Sequence, residues 1–399
     1  MGPTDPLFAV LAVGLALGVV HACRRWLPAP PGGGRHAAID GLRGYLAFFV
    51  FLHHAAIWRG YLATRQWTAP PSRLFTHFGE SSVTLFFMIT AFLFVRKLHA
   101  ARGAFGWGGF FLGRILRLVP AYALAMGLMF AVVAVESGWT LLEPKRVVAR
   151  EVAQWLAFSL AGHGPVNGFG GTHLITAGVV WSLACEWHFY LALPLLGLAL
   201  GRRAGAVPCL VATASLALAA WQPQLAVMPA FAGGALAVPL AQRPGVRRLA
   251  ASPAGSGLVL ASVAAAVLLF PTAYAPGPML LLTCAFTLIA AGCSLSGALT
   301  SRLSRLLGEP TYSIYLLHGL VLYVAIRWVF GEAVVARWPP AAYCALVLGL
   351  VPVLLALAWA SFRWIEMPAL RLLPGLGGRR ARAAPGPARP APLALDEIS

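Results

Sequence analysis

Apolar runs recur along almost the whole chain, and they decide what it can fold into. Eleven can be marked, at roughly 7–26, 39–58, 79–95, 118–136, 178–200, 206–221, 225–241, 254–272, 279–297, 311–330 and 341–361. A helix needs about 20 mainly apolar residues to cross hydrocarbon. Inside lipid the backbone must satisfy its own hydrogen bonds, and a helix does so. The expected fold is therefore all-α, a polytopic transmembrane helix bundle. Composition agrees: of 399 residues, 59% are hydrophobic and 11% charged, whereas soluble domains carry about 25% charged residues. The stretch 151–161 is apolar but short, and it reads as interfacial or re-entrant.

A net charge of +18 would suit nucleic acid if the basic residues lined one face. They occur instead as small clusters between apolar runs, the pattern of positive cytoplasmic loops. No nucleic-acid partner is expected; membrane lipid is. With residues 1–6 outside and the connections alternating, 21 Lys and Arg fall inside, 8 fall outside and Arg43 lies within a span. No positive charge precedes the first run, and Arg24–Arg25 follow it, the reverse of a cleaved signal peptide. Residues 1–35 thus read as an extra N-terminal transmembrane helix with a basic linker. Residues 374–399, rich in Pro, Ala and Arg, read as a disordered basic cytoplasmic tail. The six cysteines form no C-x-x-C pair, so neither a disulfide framework nor a metal site is expected.

Ionisable residues inside spans are costly and mark function by default. GLRGYLAFFVFLHHA, Gly41–Ala55, holds Arg43 and, eleven residues on, His54. That spacing sets both on one helix face, about 16 Å apart along the axis. Snorkelling of Arg43 and a structural hydrogen bond from His54 would explain them as well. Only His54 shares Arg43's face, so adjacent His53 is assigned a structural hydrogen bond. In WSLACEWHFY, Trp181–Tyr190, Glu186 lies roughly 7–8 Å inside Trp181. His54 lies roughly 6 Å from the outer end of its run, so the two are expected at one depth. A carboxylate there would fix the imidazole tautomer, as a general base requires. A plain helix-joining Glu–His pair is the structural alternative. In FFLGRILRLVPAY, Phe110–Tyr122, Arg114 and Arg117 share a face and suit phosphate, or serve only as positive anchors. In LGEPTYSIYLLHGLVLY, Leu307–Tyr323, a span holds Tyr312, Ser313, Tyr315 and His318, the last either supporting a site or joining two helices.

These stretches, in this order, resemble the membrane-bound acyltransferase-3 family of surface polysaccharide O-acyltransferases. Asp40–Arg43 with His54 match its DGLRxxA…H motif, and Leu85–Leu93 (LFFMITAFL) its LFFVLSGFL. Arg114, Arg117 and Pro120 match its Arg-x-x-Arg step before a proline. Trp181, Ser182, Leu183, Glu186, Phe189 and Tyr190 match WSLxxExxFY. Tyr312, Ser313, Tyr315 and His318 match YSxYLxH, and Ser361–Leu372 match SFRxIExPxxRL. The sequence departs from the family at Thr90–Ala91, in place of Ser-Gly, and at Trp187–His188, in place of Glu-Gln on the acceptor side. The resemblance spans 36–373.

The resemblance implies ten core spans with both ends cytoplasmic, in a bacterial cytoplasmic membrane. It implies transfer of an acyl group, usually acetyl from acetyl-CoA, to a hydroxyl of a carbohydrate or glycolipid acceptor. Arg43 and His54 carry over as essential, Arg114 and Arg117, with Arg43, as the coenzyme A site, and Glu186 as an active-site member. Trp181, Ser182, Tyr190, Tyr312, Ser313 and His318 would line or support that site. His54 would act as base or as a transient acyl carrier. Outer loops 59–78 and 137–177 would shape the acceptor site, where His163 and His173 could touch sugar. A different class also fits the buried Arg, His and Glu: a proton-coupled transporter or exporter of a glycolipid or small molecule.

Overall fold

The computed structural model describes residues 2–28, 36–101, 105–201, 204–220 and 227–372. The tail expected at 374–399, most of the basic linker before residue 36, and Arg102, Arg202 and Arg203 lie outside the described residues. Helices α1 (Pro6–Cys23), α2 (Ala37–Thr64), α3 (Arg73–Ala100) and α4 (Trp107–Glu136) open the chain. Two short helices follow, α5 (Lys145–Leu156) and α6 (Thr172–Ile175), then α7 (Val180–Ala199). Next come α8 (Ala206–Ala220), α9 (Pro229–Leu240), α10 (Pro244–Ala250), α11 (Pro253–Leu269) and α12 (Pro276–Ala291). The last are α13 (Arg302–Gly308), α14 (Thr311–Tyr323), α15 (Glu332–Ala336), α16 (Pro340–Ser361) and α17 (Met367–Arg371). Wider π turns extend α14 through Val324–Val329 and join α16 to α17 through Phe362–Glu366.

Local chemistry sets many starts. The side chains of Asp5, Ser72, Ser252 and Ser301 accept from the first-turn N–H groups of α1, α3, α11 and α13, and proline opens α1, α9–α12 and α16. Both devices satisfy or remove N–H groups that a helix start leaves unpaired.

Among the described residues, seven helices are long and apolar enough to cross a membrane, or eight counting α10–α11, which bends by 84°. The runs expected at 206–221, 225–241 and 279–297 are shorter helices, of 15, 12 and 16 residues. α12 stops early because Gly292, at φ 119°, takes a left-handed cap. The segment read as interfacial, 151–161, is the second half of the short α5 and the turn after it; α5 itself buries only Glu151 and Trp155.

Two apolar clusters build the core. One gathers α1, α4, α7, α14, α16 and the middle of α2; the other gathers α3, α9, α11, α12 and the start of α2. α2 thus belongs to both. It meets α13 through glycines: a Cβ on Gly308 would stand 2.0 Å from Asp40 O, and one on Gly44 2.7 Å from Gly308 N. α2 runs parallel to α14 in constant register, with Gly44 beside Gly308 and His54 beside His318. At the end of the bundle away from Arg43, Glu136 accepts from Tyr323 (2.8 Å) and Trp328 (2.9 Å). Arg327 there lies 3.7 Å from Glu136 and 3.0 Å from Glu332.

Candidate active site

Between the two clusters lies a cavity of about 360 Å³. One end carries the cations. Arg43 comes from the second turn of α2, Lys97 from the end of α3, and Arg114 and Arg117 from the start of α4. The walls are apolar, with Val83, Phe87 and Leu93 from α3 facing Leu118 and Leu183. Glu186 and Tyr190 of α7 also line it, as do Ser182 and Tyr315 farther from the arginines.

The cations are held by oriented partners. Arg114 lies 4.7 Å from the Phe94 ring centroid and 5.9 Å from that of Tyr190, favourable cation–π geometry. Arg117 lies 3.7 Å from Glu366 Oε2, a fully buried carboxylate whose other oxygen is 2.6 Å from Ser313 Oγ. Ser313 also meets Ser361 Oγ at 2.8 Å. Ser313 therefore orients the carboxylate beside Arg117 and does not line the cavity. Tyr312 donates to Leu118 O at 3.2 Å, tying α14 to α4. Between α13 and α14, burial and nearby Asp40 push the Glu309 carboxyl up, against the pull of Arg117, Arg43 and Arg305.

Glu186 does not meet His54. Its Oε1 accepts from Thr90 at 3.1 Å and from the Tyr190 hydroxyl. The expectation of equal depth fails because α7 starts deep in the bundle. The end of the short α6 and the turn after it, Leu174–Val179, are almost wholly buried, and a Cβ on Gly319 would stand 2.5 Å from the Thr176 carbonyl carbon. Ser182 is level with Tyr315, their hydroxyls 2.5 Å apart. From that level Glu186 lies four residues toward the arginines and His318 three the other way, an offset of about 10 Å.

The partner of His54 is His318. His54 Nδ1 lies 3.0 Å from His318 Nε2 and 3.0 Å from Val50 O, and His318 Nδ1 lies 3.2 Å from Ile314 O. The carbonyls fix the tautomers, since a carbonyl only accepts. His318 Nδ1–H donates to Ile314 O, which leaves its Nε2 to accept from His54 Nδ1–H. The Nε2 lone pair of His54 is then free for a proton. His318, which was expected either to support a site or to join helices, joins α14 to α2 through this contact. His53 lies 2.7 Å from Phe75 O, with its ring against Gly79, the structural hydrogen bond expected of it.

Neither histidine of the pair lines the cavity; Tyr315 stands between, its ring centroid 6.0 Å from that of His318. Trp181 also stays outside, edge-on to Phe87 and Tyr274. Trp187 packs on Phe158 and Tyr190, while His188 meets Ser215 Oγ at 2.8 Å and Leu160 O at 3.2 Å. This pair ties α7 to its neighbours instead of lining an acceptor site. His163 packs against Trp155 at a tilt of 39°, 3.9 Å between centroids, and His173 is exposed beside Trp67. Lys97, Thr90 and Glu366 drew no functional assignment from sequence. Glu366 sits in the closing motif, where an acidic residue ending an apolar run was the signal.

A helical membrane bundle with guanidiniums at one end of a cavity and paired imidazoles beyond the other has the build of a membrane acyltransferase. A family model described as an acyltransferase domain matches residues 36–359, and the chain belongs to that acyltransferase-3 family. It is similar to the acyltransferase MdmB of Streptomyces mycarofaciens, 26% identical over 399 residues, covering 90% of this chain and 96% of that one. No solved structure matches it.

Proposed function

We propose that this acyltransferase takes an acyl group, acetyl in the simplest case, from cytoplasmic acyl-CoA. The recipient is a hydroxyl of a sugar or surface glycan at the opposite face of a bacterial cytoplasmic membrane. The observation that carries the reading is the cavity: four cations at its mouth, apolar side chains along it, and a lining tyrosine, Tyr315, between it and the histidine pair. Arg43, Lys97, Arg114 and Arg117 would hold the phosphates of the donor, guanidinium forks being suited to them. The uncharged pantetheine arm fits between the apolar walls. Glu366, with Ser313, positions Arg117; Glu186, with Thr90 and Tyr190, fixes the middle of the channel. The domain then runs over 36–373, because Glu366 lies beyond residue 359.

For the thioester to reach His54, the Tyr315–Ser182 hydrogen bond opens and the Tyr315 ring turns aside. The acceptor oxygen then attacks the thioester carbonyl while His54 Nε2 takes the hydroxyl proton. The C–S bond breaks as the C–O bond forms, and the His54 proton passes to the departing sulfur. His318 holds His54 in the required tautomer and shares the charge it gains, the part first assigned to Glu186.

The test is His54→Ala in the full chain in membranes, with labelled acetyl-CoA and extracted cell-surface glycan. Insertion and donor binding should persist while label transfer is lost. Wild-type transfer by the inserted variant would refute the role of His54. Movement of an unmodified substrate without transfer, by the unaltered protein, would instead support the transporter reading.

A further inference from the structure

Beyond His54, on the side away from the cavity, lies an aromatic cluster that none of the family motifs contains. Trp67, in the irregular loop between α2 and α3, sets its indole within 15° of parallel to the His54 ring, centroids 6.2 Å apart. Rings in full face contact approach to roughly 3.5–4 Å, so this pair is offset and the indole face is only partly covered. Trp58, Tyr61 and His173 hold Trp67 at steep angles, with centroids 5.5, 6.0 and 6.3 Å away. Such edge-to-face contacts fix a ring without covering both faces.

The polar atoms of this cluster are available. The Trp67 indole N–H makes no hydrogen bond among the described residues; it stands near the backbone of Gly178, 3.9 Å from where a Cβ would be. His173 Nδ1 lies 3.2 Å from Gly170 O, so it donates there and leaves Nε2 as an acceptor. The exposed His173 imidazole and half-buried Trp67 thus present a flat apolar face, one donor and one acceptor beside the free lone pair of His54. A ring with C–H bonds on its face and hydroxyls on its rim matches that set. A purely apolar ligand would leave the donor and acceptor desolvated and unpaired, which is unfavourable.

We propose that Trp67, with His173, is the acceptor platform: a hydroxylated ring lies on the indole and presents one hydroxyl to His54 Nε2. While no acceptor is present, the indole covers His54 and keeps water from the thioester. Without that cover, water attacks the acyl carbon, the C–S bond breaks, and carboxylic acid and CoA thiol leave. The inference rests on the reading of the protein as an acyl-CoA-dependent sugar acyltransferase.

The full chain in membranes is assayed with acetyl-CoA and the extracted glycan and glycolipid fraction of its own cells. Trp67→Ala should raise the apparent KM for the extract at least tenfold, leave the KM for acetyl-CoA unchanged, and increase extract-independent CoA release severalfold. Trp67→Phe should restore most of both. His173→Ala, an exposed change that spares the fold, should raise the extract KM alone. Wild-type extract KM in both alanine variants overturns the platform. If wild-type protein releases no CoA in response to the extract, the acyl-CoA reading itself has failed.

Discussion

His54 has a partner that shares its Nδ1–H with Val50 O and so reinforces the tautomer the carbonyl sets. Without His318, His54 Nδ1–H keeps Val50 O alone, and the imidazolium of the proposed transfer would lose its second support. His318→Ala should lower kcat by about 10²-fold, within the range general-base catalysis supplies, with the donor KM unchanged. His318→Gln offers a carbonyl oxygen to the same N–H and should recover part of the loss; equal loss in both variants would argue against tautomer control. At this scale the sequence was half legible. Two costly residues on one face of α2 could be recognised by counting, and so could the structural role of His53. The partner could not, because counting residues from the ends of apolar runs takes each run's edge for the membrane surface. α2 continues to Thr64 and α7 starts below the surface at Val180, which moved Glu186 away from His54 and toward the arginines.

Among the elements, the seam between α2 and α13 sets the register that matters. Because Gly44 and Gly308 let the two helices touch, α14 follows α13 at a height that brings His318 level with His54. Gly308→Ala would drive a Cβ to 2.0 Å from Asp40 O, a backbone atom. It should cost about 1–3 kcal/mol of stability, as overpacking does, and reduce activity by more than the loss of folded protein explains. Gly349→Ala on α16, where nothing lies within 4 Å of the added Cβ, should leave both unchanged. Thermal midpoints and specific activities of the two variants decide the matter. The glycines of GLRG were plain in sequence, but what they touch lies more than 250 residues away and carries no local signal. Thr90 is a similar case. It stands where the family has serine, and its hydroxyl serves Glu186. The close approach at that level comes from Gly234, whose Cβ would meet Met88 O at 2.2 Å. All-helical architecture, by contrast, was written in the apolar runs, since runs near the length of a bilayer have few other ways to satisfy their backbones. Their exact ends were not, because a proline sets where α9 starts and a left-handed glycine ends α12 early.

For the molecule as a whole, the separation of the cation cluster from the histidine pair has an electrical consequence. In the proposed reading, the four positive side chains at the mouth would hold every charge of the donor at one face, and only uncharged atoms would extend toward His54. In the proposed transfer the acyl carbon leaves with no bonding electrons from sulfur and travels one way as an acylium equivalent. The hydroxyl hydrogen travels the other way as a proton to sulfur. The two movements cancel, so one turnover carries no net current across the bilayer. A displaced elementary charge would be worth about 2.3 kcal/mol per 100 mV, enough to alter a rate by well over tenfold. Turnover in sealed vesicles should therefore stay constant as a potassium diffusion potential is imposed and reversed, whereas a proton-driven exporter built on the same residues would respond to its sign. The chain would then be a chemical exchanger that works at the same pace in an energised membrane and in a depolarised one.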